Sequence, residues 1–209
     1  MAAQLLKHYL GGSGRPVTLE SDFVRHHEPS ANAQQKTEGH FESWLSGDLN
    51  DQSGFGDIQS WLQSDQPTLS IKGMKWEARA KPYDALDPSD QNMALGKHKI
   101  LGVGDLTLTR QGDKVIVRGV VEHRLDGETY DFAEGGGSSN PASNLATVPQ
   151  GLISGDIGLT RDTITDYERA GGAQSFPVSS DPWKRNLIGE LTIRNGKIIN
   201  SIFDWKDVK

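Results

Sequence analysis

Apolar residues recur at helical spacing in the first third of the chain. The spacing predicts a helix over residues 3 to 10 that two glycines end, and a short helix that stops at Pro29. A longer helix is predicted from residue 32 to 49, and another short one around Trp61. Turn-forming residues separate these segments. Residues 1 to 66 are therefore predicted to form a mostly helical, loop-rich region.

From residue 67 onward, apolar and polar residues alternate with the period of two that is typical of β-strands. Residues 100 to 109 and 114 to 123 are predicted to form two strands joined by the turn RQGD. Near the C-terminus, Asn195 and Gly196 suit the two positive-φ positions of a type I′ turn. The sequence thus predicts an α+β fold, in which the helical and loop-rich N-terminal third precedes a curved, mostly antiparallel, barrel-like β-sheet over residues 67 to 209.

Composition narrows the class of protein. Hydrophobic residues make up 34% of the 209 residues, and the formal net charge is −6. Basic residues are interspersed with acidic ones, so no basic stripe predicts a nucleic-acid partner. The chain has no cysteine, which excludes a thiol nucleophile, a disulfide framework and a thiolate zinc site.

The N-terminal stretch MAAQLLKHYLGG is too short and too weakly basic for a cleavable signal peptide. The apolar runs are also too short to span a bilayer. Three interpretations stay open: a cytosolic protein, a protein exported without a cleaved leader, or a fragment of a longer chain.

The stretch GVVEHRLDGETYDFAEGGG, residues 119 to 137, concentrates ionisable residues at the end of a predicted strand. A strand over residues 128 to 132 is predicted to pair with the preceding strand across the turn LDG, which brings His123 beside Asp131. A carboxylate-oriented imidazole is a suitable general base, and Arg124 lies on the opposite face of its strand. The alternative is a charged hairpin end in water. The glycines that follow let a ligand approach the backbone, or form a linker.

The run Glu128-x-Tyr130-Asp131 resembles the Asp-x-Tyr-Asp signature of colicin M-type bacteriocins. Residues from about 100 to 205 are similar to the C-terminal toxin domains of bacterial secreted antibacterial proteins. The first acid is glutamate here, and the His-Arg pair precedes the motif, whereas that of the family follows it. The resemblance implies a secreted toxin that hydrolyses lipid II, the lipid-linked peptidoglycan precursor, in the periplasm of a target bacterium. It also implies a divalent metal, usually Mg²⁺, and a cognate immunity protein as a partner.

Hydrolysis of a phosphoester beside a diphosphate needs positive charge near the non-bridging oxygens and a base that activates water. Asp131 is the candidate metal ligand, because Mg²⁺ prefers oxygen donors. The basic pair Lys184 and Arg185 is a candidate for binding the diphosphate, or else a solvated surface cluster. The candidate catalytic residues are Asp131, Tyr130, His123, Glu128 and Arg124.

Two other classes of function fit the sequence. A toxin that perturbs the membrane surface without catalysis would act through the amphipathic stretches AQLLKHYL and FESWLSGDL, although the negative net charge disfavours binding to anionic lipid. A β-rich binding or structural module would carry no chemistry and would tolerate substitution at Tyr130 and Asp131.

The remaining motifs are expected to be structural. The histidines His26, His27 and His40 match no zinc-binding spacing. The five tryptophans stand in apolar local patterns and are expected to anchor the core.

Overall fold

The fold is described from a computed structural model, for residues 2–48, 55–80, 95, 98–130, 166 and 169–208. The helices in these ranges are α1 (Ala2–Leu10), α2 (Ser21–Arg25), α3 (Glu28–Ser46) and α4 (Phe55–Leu62). The strands are β1 (Val17–Leu19), β2 (Thr68–Ala80), β3 (His98–Gln111), β4 (Lys114–Leu125), β5 (Glu128–Tyr130), β6 (Phe176–Ser180), β7 (Trp183–Arg194) and β8 (Lys197–Asp207). In this part of the chain, no helix is both long and apolar enough to cross a bilayer.

The strands form two separate sheets. One has five strands in the order β2-β3-β4-β7-β8, and the other has three in the order β1-β6-β5. Strand β1 runs parallel to β6, and β5 runs antiparallel to it. About 50% of the described residues lie in strands and 28% in helices.

The predicted fold class, a helical and loop-rich N-terminal third followed by a barrel-like sheet, is wrong. Neither sheet closes among the described residues, since β2 and β8 end the larger one. The N-terminal third also supplies β1, which pairs with a strand about 160 residues later in the chain. Alternation of apolar and polar residues predicts that strands form, but closure depends on which strands pair at the edges.

The chain divides into two compact units. The first unit consists of Met1–Ala33, Arg79–Ile100 and Leu125–Asp181. The second unit consists of Gln34–Ala78, Leu101–Arg124 and Pro182–Lys209. The division of the chain into domains at residue 66 stays a prediction.

The core of the second unit lies between the five-stranded sheet and the helices α3 and α4. Phe41 and Trp44 of α3 and Trp61 of α4 pack against leucine and valine side chains from β3, β4 and β7. Trp183 is buried as well, while Trp76 and Trp205 are partly buried against this core. The tryptophans therefore anchor the core, as predicted.

The two hairpins that the sequence predicts most strongly are present. Asn195 and Gly196 both have positive φ, 54° and 70°, and join β7 to β8. Gly112, with φ of 65°, lies in the turn between β3 and β4. Pro29, in contrast, does not end a helix. It is the second residue of α3, where the amide hydrogen that proline lacks would have no helical partner.

Helix α3 packs against β3 at two glycines of that strand, where a side chain would meet residues of the helix. A Cβ at Gly104 would lie 2.7 Å from the Phe41 ring and 3.1 Å from a methyl group of Val121. A Cβ at Gly102 would lie 3.3 Å from Thr37 Oγ1. Positions 102 and 104 face the same side of the sheet, so they form a groove in which α3 rests.

Replacing Gly104 with alanine is expected to lower the free energy of unfolding by about 1–3 kcal/mol, because the fully buried ring of Phe41 would have to shift. Gly39→Ala is the matched control, since nothing lies within 4 Å of a Cβ there. Gly39 is inside α3, so the control is expected to stabilise the chain by up to about 1 kcal/mol. Urea unfolding of the two variants measures both values. Equal effects of the two substitutions would contradict the groove.

Candidate functional site

A cluster of ionisable side chains lies inside the second unit, where α3 covers β4 and β7. Glu38 comes from α3, His123 from β4 and Arg185 from β7. Arg185 Nη1 is 3.4 Å from Glu38 Oε1, and His123 Nε2 is 4.0 Å from the same oxygen. We call these three residues the Glu38 cluster. His123 and Glu38 are buried, whereas the Arg185 side chain is 21% exposed, so the cluster reaches solvent through Arg185.

The hydrogen bonds of Thr37 assign the tautomer of His123. Thr37 Oγ1 donates to the carbonyl of Gln34 at 2.7 Å, which uses its single hydrogen. In the 3.1 Å hydrogen bond between Thr37 Oγ1 and His123 Nε2, the imidazole must then be the donor. His123 Nδ1 therefore carries a lone pair, and this buried atom has no hydrogen-bond partner among the described residues.

Burial controls the protonation of the cluster. Desolvation, helped by the positive charge of Arg185, lowers the pKa of His123 to about 3, so its imidazole is neutral at physiological pH. Desolvation raises the pKa of Glu38, and Arg185 and the hydrogen bond from Gln34 act against it. A buried imidazole with so low a pKa is a weak base, which disfavours the predicted role of His123 in activating water.

Two successive hydrogen bonds, through Gln34, link the indole of Trp183 to the carboxyl group of Glu38. Trp183 Nε1 donates to Gln34 Oε1 at 2.8 Å, and Gln34 Nε2 donates to Glu38 Oε1 at 2.8 Å. The Trp183 ring also stacks on His123, with 6.0 Å between ring centroids. Gln34 thus uses both its amide oxygen and its amide nitrogen in this network, and one oxygen of Glu38 is held by a hydrogen bond and an ion pair.

The guanidinium of Arg185 is engaged by neighbours on β8. Arg185 Nη2 donates to the Trp205 carbonyl at 2.9 Å, and Nε lies 3.4 Å from Asp207 Oδ1. Trp205 in turn donates from Nε1 to Glu42 Oε1 at 2.7 Å. A diphosphate bound by Arg185, as the sequence predicts, would have to replace these partners.

Lys184 and Arg124 lie on the other face of the same sheet and are exposed. Because side chains alternate along β4, Arg124 points to the face of the sheet opposite the buried His123, as predicted. The Lys184 ammonium and the Arg124 guanidinium are each 3.9 Å from a carboxylate oxygen of Glu122. Two exposed cations therefore flank one acid at this end of the sheet.

The predicted pairing of the strand at residue 128 with β4 is wrong. Strand β5 joins the smaller sheet and pairs with β6, in the register Glu128 to Val178 and Tyr130 to Phe176. Strand β4 instead lies between β3 and β7, with His123 opposite Trp183. Glu128 and Tyr130 are carried by β5. Asp131 lies outside the described residues, so its proximity to His123 stays a prediction.

The first unit contains a second buried polar group, built on one of the predicted histidines. Ser30 Oγ is 3.1 Å from His27 Nδ1 and 2.8 Å from His98 Nε2. The three side chains are buried, and the two ring centroids are 5.7 Å apart. No group of three or more possible metal-ligating side chains occurs among the described residues.

Glu38, Gln34 and Thr37 were not among the residues predicted from the sequence. These residues lie in one stretch of α3, where the spacing of four between Gln34 and Glu38 places them on the same side of the helix. Two hydrogen-bonding side chains four residues apart in a predicted helix are the only sequence feature that could have indicated this pair. Nothing in the sequence pairs them with His123, which follows more than 80 residues later.

The chain has few similarities to known proteins. No family model matches it, and no curated protein matches it. Among solved structures, pectocin M2 is similar at 14% identity over 73% of this chain, with a TM-score of 0.20. The chain corresponds to 38% of that structure's length. A likeness of this strength carries no argument about fold or activity, and the resemblance to colicin M-type bacteriocins has no support from a family model.

Proposed function

We propose that the chain is an antibacterial toxin domain that hydrolyses a lipid-linked peptidoglycan precursor in the periplasm of a target bacterium. The observation that carries this proposal is the Glu128-x-Tyr130-Asp131 run and its resemblance to the signature of colicin M-type bacteriocins. Strand β5 supports it, because it holds Glu128 and Tyr130 on one extended segment that ends directly before Asp131.

Mg²⁺ is the proposed cofactor. Asp131, with Glu128 as a second carboxylate, would hold it, since carboxylate oxygens are the donors that this ion prefers. When bound, the ion would neutralise charge on the phosphate oxygens. Tyr130 would orient the leaving group by a hydrogen bond from its hydroxyl.

Within the second unit, Lys184 and Arg124 are more accessible to an anion than Arg185 is. Both lie at one end of the larger sheet, and both ion pairs with Glu122 are long, at 3.9 Å. Arg185 is less suitable, because its guanidinium already contacts Glu38, Asp207 and a backbone carbonyl.

The test is expression of the chain with and without an added export signal in bacteria. We expect lysis from the periplasm and no effect in the cytosol. Asp131→Ala should abolish killing, because it removes the carboxylate that is proposed to hold the metal ion. Asp113→Ala is the control, because Asp113 is an exposed acid in the turn between β3 and β4. Killing by the Asp131 variant at the level of the parent chain would exclude this site.

A β-rich binding module is the second candidate. The outer face of the five-stranded sheet favours it, because Val120, Ile188 and Ile202 are 42%, 45% and 63% exposed there. A chain that is harmless from both compartments, and that tolerates substitution at Tyr130 and Asp131, would support this function over the toxin.

A further inference from the structure

Strand β8 is an edge of the five-stranded sheet and has a free side among the described residues. It follows β7 at the end of the strand order and is 11 residues long. Exposed edge strands present unpaired backbone groups that pair readily with another strand. The β8 edge also carries Ile202, which at 63% is the most exposed of the large hydrophobic residues described.

The hydrogen-bond pattern shows which residues of β8 are available. Val208 donates its amide to the Lys184 carbonyl at 3.2 Å, and Arg185 lies opposite Asp207 in the ladder. Backbone groups of alternate residues face the neighbouring strand in an antiparallel pair. Even-numbered positions from 202 to 208 therefore bond to β7, and Ser201 and Phe203 direct their N–H and C=O groups to the free edge.

An apolar line on the outer face leads to this edge. In the register of the sheet, Val120 lies opposite Asn186, Arg118 opposite Ile188, and Glu190 opposite Ile202. Ile188 is therefore two positions along β7 from the residue opposite Val120, and Ile202 is two positions along β8 from the residue opposite Ile188. We call these three residues the outer apolar stripe. It runs diagonally across β4, β7 and β8 and stops at the open edge.

We propose that β8 pairs with β8 of a second copy of this chain, antiparallel and about a two-fold axis at Ile202. This register places Ile202 against its copy in a pair without direct hydrogen bonds, the closer kind of cross-strand pair. Ser201 faces Phe203 of the second copy on both sides of the axis, which uses the free backbone groups. The outer apolar stripe continues through the axis into that of the second copy.

The charges near the axis are compatible with the same register. Asp204 lies opposite Asn200 of the second copy, so no like charges face each other between positions 200 and 204. The register irregularity of β8 between Ile198 and Asn200 ends the regular ladder there. A shift by two residues toward the C-terminus would set Asp204 close to its own copy. The Trp205 carbonyl already accepts a hydrogen bond from Arg185, which limits the pairing to the centre of the strand.

The absence of cysteine allows a clean cross-linking test. Ile202→Cys should form a symmetric disulfide in mild oxidant, because the two Cβ atoms fall near the 3.5–4.5 Å range of disulfides, about 5 Å apart. Asp204→Cys is the control, since Asp204 is similarly exposed, at 57%, but its two copies would lie roughly 13 Å apart. Oxidation of Ile202→Cys is expected to be at least about tenfold faster.

A mixture of the Asn200→Cys and Asp204→Cys proteins fixes the register, because these positions face each other across the axis. We expect the mixture to cross-link while each protein alone does not. Analytical ultracentrifugation should show a dimer of the parent chain, and Ile202→Lys should make it monomeric with an unchanged circular dichroism spectrum. Equal cross-linking at 202 and 204, or a monomeric parent chain, would overturn the proposal.

Discussion

Acidification from pH 7 to pH 5 is expected to lower the free energy of unfolding by about 2 kcal/mol through His123 alone. The unfolded chain takes up a proton at this side chain below pH 6.5, whereas burial keeps it neutral in the fold until about pH 3. The stability that the neutral imidazole contributes is therefore complete above pH 6.5 and is lost as the pH falls toward 3. Each pH unit in that window costs about 1.4 kcal/mol.

His123→Phe is the variant that isolates this effect. Phenylalanine keeps a ring to stack on Trp183, and Thr37 retains its hydrogen bond to the Gln34 carbonyl. Urea unfolding at the two pH values should show that the loss of stability between them is smaller by about 2 kcal/mol in the variant. Glu38 acts in the opposite direction, because a raised pKa stabilises the fold as the pH falls. An identical pH dependence of the variant and the parent chain would contradict a buried, neutral His123.

Replacing Arg185 with methionine is expected to cost on the order of 3 kcal/mol at neutral pH. Glu38 would then keep a buried charge with no cation within ion-pair distance among its described contacts, with Gln34 as its remaining hydrogen-bond donor. Methionine fills a similar volume, so the loss reports the charge more than the packing.

A double-mutant cycle identifies the cause of that loss. Glu38→Gln removes the buried charge and keeps the shape of the side chain. In the Arg185→Met background it should restore most of the stability, because the unpaired carboxylate is gone. By itself it should have a small effect or stabilise the fold above the pKa of Glu38, since burial of the carboxylate is unfavourable there. A loss from Arg185→Met that is the same in both backgrounds would show that the two side chains are not coupled.

Local features of the fold were predictable from the sequence, and the pairing of distant segments was not. The alternation of β3 and β4, and the Asn195-Gly196 turn, are encoded within a few residues each, and both hairpins form. The position of β5 depends on competition between strands. Three residues at 128–130 pair with β6, while β4 pairs along ten residues with β7. A longer ladder buries more of its strand, and that advantage cannot be read from the turn LDG alone.

In the candidate site, too, local features were predictable from the sequence and contacts between distant segments were not. Alternation along β4 predicts that His123 and Arg124 point to opposite faces, and they do. Which residues meet the buried imidazole depends on how α3 rests on the sheet, and that is set by the glycines at 102 and 104. Because glycine has no side chain, these two positions add nothing to the pattern of apolar and charged residues in the sequence. The closeness of Thr37 and Glu38 to His123 therefore becomes visible only in three dimensions.

The distribution of the tryptophans has a practical consequence. All five lie in the second unit, at positions 44, 61, 76, 183 and 205, and the first unit has none. Indole emission therefore reports on one half of the molecule, whereas far-ultraviolet circular dichroism reports on both. The two signals will change at the same urea concentration if the two units unfold together, and at different concentrations if one unit unfolds before the other.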